Sequence, residues 1–140
     1  LSYGEEYMAH AFSAMDVLMN VSTGEGFGIP IVEAQACGTP VIVGDWTSMG
    51  ELCFSGRKVE KQKAAPAYNP IGTYQFTPRL EDVGTLLLEE YSNPSSREKA
   101  REGALEYDAD LVTEKYWKPV LEAIAETLPK GETGMKLVKF

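Results

Sequence analysis

The sequence predicts an α/β fold in which helices flank a parallel sheet, and three observations predict it. Two short apolar runs, residues 16–22 and Val41-Ile42-Val43, are separated by a single short helical stretch. A strand, helix and strand in so few residues indicate a right-handed crossover between parallel strands. The stretch between them is punctuated as a helix should be, with Pro30 at its start and Gly38 at its end. The chain has 140 residues, of which 44% are hydrophobic, enough for a real core. No run approaches the roughly 18 apolar residues of a membrane span.

Each element follows from local pattern. Tyr7, Met8, Ala11, Phe12 and Met15 recur at helical spacing and predict a first helix over residues 5–15. Residues 16–22 read as a strand covered on both faces, ended by Ser22-Thr23-Gly24. Pro30 suits the first helical position, and Gly38 suits a left-handed cap after Cys37. Met49 to Phe54 predicts one or two helical turns. Between Gly56 and Phe76, Pro66, Asn69-Pro70 and Gly72 predict loop, with residues 73–76 as a short edge strand. Thr77-Pro78 reads as a helix start, with Val83, Leu87 and Tyr91 as the buried face. Ser95 and Glu98 form a capping box for a helix through Ala100 and Ala104. From Leu111, the residues Val112, Tyr116, Val120, Ile124 and Leu128 predict a closing helix kinked or restarted at Pro119. Residues 129–134 read as a polar loop and 135–140 as an edge strand.

Charge narrows the partners. The net charge is −8, which argues against nucleic acid or an anionic membrane. No Lys or Arg precedes Arg57, whereas Glu5, Glu6, Asp16, Glu25, Glu33, Asp45 and Glu51 do. An anion site in that stretch must use backbone amides and a helix dipole, or cations from elsewhere. Cys37 and Cys53 give neither a disulfide framework nor zinc spacing, so a reducing, cytoplasmic setting without bound metal is expected. The first residues lack the pattern of a signal peptide. The chain opens on Leu1 and not on methionine, which leaves open that it is a piece of a longer polypeptide.

The candidate site is the stretch from Glu25 to Glu33. Amides at Gly26, Phe27, Gly28 and Ile29 suit a concave nest for phosphate oxygens, and the glycines admit close approach. The helix at Pro30 adds its positive end, worth about 0.3–1 kcal/mol at an exposed site. Glu33, about one turn into that helix, can accept both hydroxyls of a ribose, and Glu25 those of a second sugar. Plainer readings stand beside these. Glu33 can serve the helix dipole alone, and Asp45 and Glu51 can form a turn and a cap. Cys37 reads as packing, Cys53 as core or half-buried, and His10 as surface. The glycine run fails the dinucleotide pattern, because Ile29 stands where a glycine is required.

Residues Asp16-Val17-Leu18, Ser22 and the unbroken stretch from Glu25 to Ile42 together resemble the donor-site motif of the family 4 retaining glycosyltransferases. Their hallmark is two glutamates with seven residues between them, matched by Glu25 and Glu33. Residues 44–52, 105–108 and 116–121 resemble later segments of that family. The resemblance implies a Rossmann-like, glycosyltransferase-B domain of which this is the C-terminal part. Residues 1–92 would form a partial donor domain, 93–128 its C-terminal helices and 129–140 a tail. It implies transfer of a sugar from a nucleoside diphosphate to a hydroxyl acceptor, without metal or other cofactor. Glu25 would be the catalytic-site contact to the transferred sugar, Gly26, Phe27, Gly28 and Ile29 the diphosphate cradle, and Glu33 the ribose contact. Complete members carry an upstream Arg and Lys and an acceptor domain that these residues do not include. Loss of one such donor commonly costs about 10²–10³ in rate, so inactivity of the chain alone is expected. The rival expectation is a non-catalytic module that self-associates or is completed by a second chain; a sugar-nucleotide epimerase of the same fold is a third.

Overall fold

The computed structural model describes residues 4–128. They begin with helix α1 (Glu5–Ser13), strand β1 (Leu18–Asn20), helix α2 (Ile29–Ala36) and strand β2 (Val41–Gly44). Helix α3 (Thr47–Glu51), strand β3 (Gly56–Val59) and the strands β4 (Ala65–Tyr68) and β5 (Tyr74–Thr77) follow. Helices α4 (Leu80–Ser92) and α5 (Arg97–Ala104) complete this part with a short 3₁₀ turn, Leu105–Tyr107. The chain divides into two compact units, the first ending at Tyr107 and the second starting at Asp108. The expected tail and its edge strand at residues 129–140 lie outside the described residues.

The predicted α/β layout is present. β1, β2 and β3 form a parallel sheet in that order, with Leu18 opposite Val41 and Val41 opposite Gly56. β2 is central and wholly buried, which its unbroken Val-Ile-Val run requires. Ile31 and Ala34 of α2 pack with it, and Phe12 of α1 joins the same core. Gly38 takes the left-handed conformation expected after the helix (φ 79).

β1 corrects the expectation of a strand covered on both faces. It is three residues long, and Met19 is 50% exposed while Leu18 packs on the core. The strand is at the sheet edge, and alternation sends Met19 to the face away from Leu18. β3 was expected to be loop, because Arg57 and Lys58 carry no apolar signal. Its pairing rests on backbone: a Cβ on Gly56 would overlap the carbonyl of Val41, so only glycine allows the approach. Pro66 and Asn69 do not prevent structure either. β4 and β5 form an antiparallel ribbon in which Pro66 sits opposite Phe76. Its turn is closed by Asn69, whose Oδ1 accepts from the amides of Ile71 and Thr73 at 3.1 and 3.2 Å.

α4 starts later than Thr77-Pro78, because Thr77 belongs to β5; its N-cap is Arg79. The buried side is also rotated from the expected one. Tyr91 is 86% exposed, whereas Val83 and Glu90 are buried and Leu86 packs on the core. An apolar count missed this because the inner face is set by an ion pair. The Glu90 carboxylate accepts from Arg57 Nε of β3 at 3.0 Å and from the Ser95 amide and hydroxyl at 2.6 and 2.7 Å. Ser95 is thereby taken from the capping role, and Ser96 Oγ accepts from the Lys99 amide at 3.2 Å in its place. Ala100 and Ala104 are buried as expected.

The second unit contains helix α6 (Ala109–Val112), a π-helical turn (Thr113–Trp117) and helix α7 (Lys118–Thr127). Asp108 caps α6, accepting from the amides of Asp110 and Leu111. Pro119 stands in the first positions of α7, just after the wide turn. A proline removes an internal hydrogen bond and crowds the carbonyl four residues back, which the π turn accommodates. Among the described residues, no helix is long and apolar enough to cross a membrane.

Two outcomes test this packing. Glu90→Ala takes the acceptor from Arg57 Nε and from two donors of Ser95, and is expected to lower stability by about 3 kcal/mol in urea titration; an unchanged midpoint would mean the pair contributes nothing. Burial pushes the half-buried Cys53 thiol up to about 11, opposed by Lys58 and aided by Asp45 and Glu90. In a Cys37→Ser chain at pH 8, Ellman's reagent should therefore consume Cys53 roughly tenfold or more slower than free cysteine. A rate equal to free cysteine would show that the thiol is not held protonated.

Candidate functional site

The site is built at the carboxyl ends of β1 and β2, where parallel α/β sheets present their ligands. β1 leads through Ser22 and Glu25 into the glycine turn, and β2 leads through Asp45 and Trp46 into α3. The two exits are stitched together. Trp46 is buried, packs on Phe76 with ring centroids 5.8 Å apart, and donates its indole N–H to the Ser22 carbonyl at 3.1 Å. The Phe76 amide donates to the Thr23 carbonyl at 3.0 Å, so the β4–β5 ribbon braces the same segment.

Glu25 is half-buried and held on three sides. Its carboxylate accepts from Ser22 Oγ at 2.9 Å, and its amide donates to Thr47 Oγ1 at 3.2 Å. Its carbonyl accepts from Ser48 Oγ at 3.4 Å. Only one carboxylate oxygen has a partner among the described residues, which leaves the other to accept from outside. Thr47 and Ser48 escaped the sequence reading; no local pattern ties them to a residue twenty-odd positions earlier. Thr47 also has φ 53, and is the one non-glycine residue of positive φ among those described. For a β-branched side chain that conformation costs about 1–3 kcal/mol.

The turn itself needs its glycine at position 28. Gly28 is the N-cap of α2 in the left-handed region (φ 98), and a Cβ there would press on Ile31 Cδ1 at 2.9 Å. The Gly28 carbonyl accepts the first helical bond, from the Ile31 amide at 2.9 Å. Among the described residues, the amides of Gly26, Phe27, Gly28 and Ile29 have no acceptor. Phe27 is half exposed, and its ring lies 5.9 Å from that of Tyr107, which in turn lies 5.7 Å from Phe54. This aromatic run anchors the turn from the end of α5.

Glu33 differs from expectation in one respect. α2 begins at Ile29, so Glu33 stands in the second turn and no acidic residue occupies the first. The helix dipole acts within the first turn, so serving the dipole no longer accounts for Glu33. Its side chain is exposed, with no partner among the described residues. Asp45 is exposed and pairs with Lys58 Nζ at 3.9 Å, and Glu51 and His10 are exposed on their helices.

At the amino ends of the strands, opposite this site, a groove of about 760 Å³ opens between Val17, Pro40 and the outer residues Leu87, Leu88 and Tyr91 of α4. It shares no lining residue with the glycine turn.

Residues 2–70, which contain the glycine turn and all three parallel strands, match the family model described as glycosyl transferases group 1. The D-inositol 3-phosphate glycosyltransferase of Rhodococcus opacus is 30% identical over 121 residues, covering 86% of this chain and 23% of that protein. The protein of the same name from Rhodococcus erythropolis is 44% identical over 51 residues, or 36% of this chain and 12% of its own. The O-antigen chain mannosyltransferase B of Escherichia coli is 38% identical over 48 residues, covering 34% and 13%. The matched segments thus span less than a quarter of these relatives' lengths. No solved structure matches at the stringency these relatives meet. With the parallel sheet and the Glu25–Glu33 turn at its carboxyl ends both inside the matched region, the chain belongs to the group 1 glycosyltransferases, family 4, of the glycosyltransferase-B fold.

Proposed function

We propose that the first unit binds a nucleoside-diphosphate sugar as the donor half of a retaining glycosyltransferase. The observation that carries this reading is the run of four successive amides without acceptors among the described residues, at the N-terminus of α2 and beside a held carboxylate. Diphosphate oxygens fit such donors, which act together with the positive end of the helix. Glu33, exposed and one turn further on, accepts the ribose hydroxyls. Glu25 accepts from hydroxyls of the transferred sugar through the carboxylate oxygen that Ser22 leaves free. The transfer breaks the bond from the anomeric carbon to the phosphate oxygen. It forms a bond from that carbon to the acceptor oxygen on the same face, and the acceptor's proton leaves with the diphosphate. The acceptor, and the cations that neutralise the leaving group, come from outside these 140 residues, so the chain alone is inactive. No metal ion is required by this scheme.

The edge of β1, unpaired among the described residues, and the groove at the other end of the sheet favour a second reading, a non-catalytic module that pairs with a second copy of itself. Sedimentation separates the two. A chain that remains monomeric at about 100 μM removes the second reading, and dimerisation at low micromolar concentration sustains it.

For the first reading, isothermal titration with UDP, GDP and ADP is expected to find a nucleoside diphosphate that binds. Glu33→Ala should weaken that diphosphate about tenfold or more, the loss of hydrogen bonds to a charged acceptor. Glu25→Gln should leave the diphosphate unaffected and weaken the corresponding sugar nucleotide. Undiminished binding by Glu33→Ala would refute the ribose assignment, and a wild-type chain that binds no diphosphate would refute the donor site.

A further inference from the structure

We infer that Thr47 is a positioning residue for Glu25, fixing the backbone from which that carboxylate meets the sugar of the donor. The inference rests on the donor-site reading and adds to it a residue on a different element. Four observations on Thr47 converge. It is exposed, so its side chain is not there to fill the core. It adopts a left-handed backbone (φ 53) that glycine or asparagine would occupy with less strain. In that conformation its Oγ1 accepts the Glu25 amide at 3.2 Å, and its Cγ2 lies 3.6 Å from where a Cβ on Gly24 would stand. Its neighbours hold the same few residues: Trp46 donates to the Ser22 carbonyl, and Ser48 to the Glu25 carbonyl.

Three consecutive residues after β2 therefore hold the segment from Ser22 to Glu25. The strained one supplies the bond to the Glu25 amide. If Thr47 served only to begin α3, a glycine would do so with less strain, and nothing would be lost at Glu25. Strain retained at a site is maintained by what it positions.

This makes Thr47→Gly informative, since it relieves the backbone while removing the hydroxyl. Thr47→Ser keeps the hydroxyl and is the conservative rescue. The first measurement needs no ligand. By NMR, the Glu25 amide of the Thr47→Gly chain should exchange with solvent about tenfold faster than in wild type, with the melting temperature no lower, and Thr47→Ser should restore slow exchange. Unchanged exchange at Glu25 in Thr47→Gly would overturn the proposal.

The second measurement is titration with the best-binding diphosphate of the UDP, GDP and ADP series and with its glucose ester. Thr47→Gly should keep its affinity for the diphosphate within about twofold and lose about fivefold or more for the glucose ester, again restored by Thr47→Ser. Equal losses for both ligands, or no loss for either, would overturn the proposal while leaving the donor site standing. Absence of binding by the wild-type chain would instead refute the donor site itself, and with it the role of Thr47.

Discussion

The buried side-chain amide of Gln35 is the constraint on which the rest of the first unit depends. It is fully buried within α2 and satisfies backbone groups on both of its ends. Its Nε2 donates to the carbonyls of Ile31 and Leu52 at 2.9 and 2.7 Å, and its Oε1 accepts from the amides of Phe54 and Ser55 at 2.9 and 3.0 Å. Residues 52–55 join α3 to β3, so one side chain closes a segment that has no regular structure of its own. A buried polar group is costly unless paired, and these four bonds pair it completely. The result is that α2 cannot shift along its axis without breaking the approach to β3.

The C-terminal end of α2 is also held by charge. Arg101 of α5 donates to the Ala36 carbonyl at 2.7 Å, at the C-terminal end of α2. Arg97 donates to the carbonyls of Ser13 and Met15 at 3.0 Å, at the end of α1. Cations at helix C-termini offset the negative end of the dipole. Two cations beside the acidic stretch before Arg57 thus come from residues about sixty-five to eighty-five positions later. They are spent on carbonyls at the back of the sheet, not at the glycine turn. Among the described residues, the turn offers an anion its backbone amides and a positive helix end.

The two ends of the sheet are consequently different in kind. At the carboxyl ends, Trp46, Phe76 and Tyr107 brace a polar turn with aromatic rings, and the chain crosses itself between Ser22 and Thr47. At the amino ends, Leu87, Leu88 and Tyr91 face outward because the inner side of α4 is committed to Val83, Leu86 and the Glu90–Arg57 pair. One ion pair between β3 and α4 thus decides which leucines of α4 are left on the surface.

Pro30, Gly28 and Gly38 were legible in the sequence because each answers a local demand: a fixed φ, a positive φ, or a missing Cβ. So was β2, whose continuous apolar run has no other use than a buried parallel strand. The order Glu25, glycine turn, helix, Glu33 was legible as a candidate site for the same reason, since all of it lies within one turn and the helix that follows. What the chain alone left undecided depends on partners far away in sequence. β3 is a strand because Gly56 admits the Val41 backbone, α4 turns Glu90 inward because Arg57 is there, and Glu33 moved out of the first turn because Gly28 let α2 begin one residue early. Thr47 and Ser48 became site residues only when β2 returned beside β1, for hydrogen bonds between separate strand exits leave no periodicity to read. Local conformational preference is written residue by residue, whereas the pairing of buried polar groups is settled only once the sheet has closed.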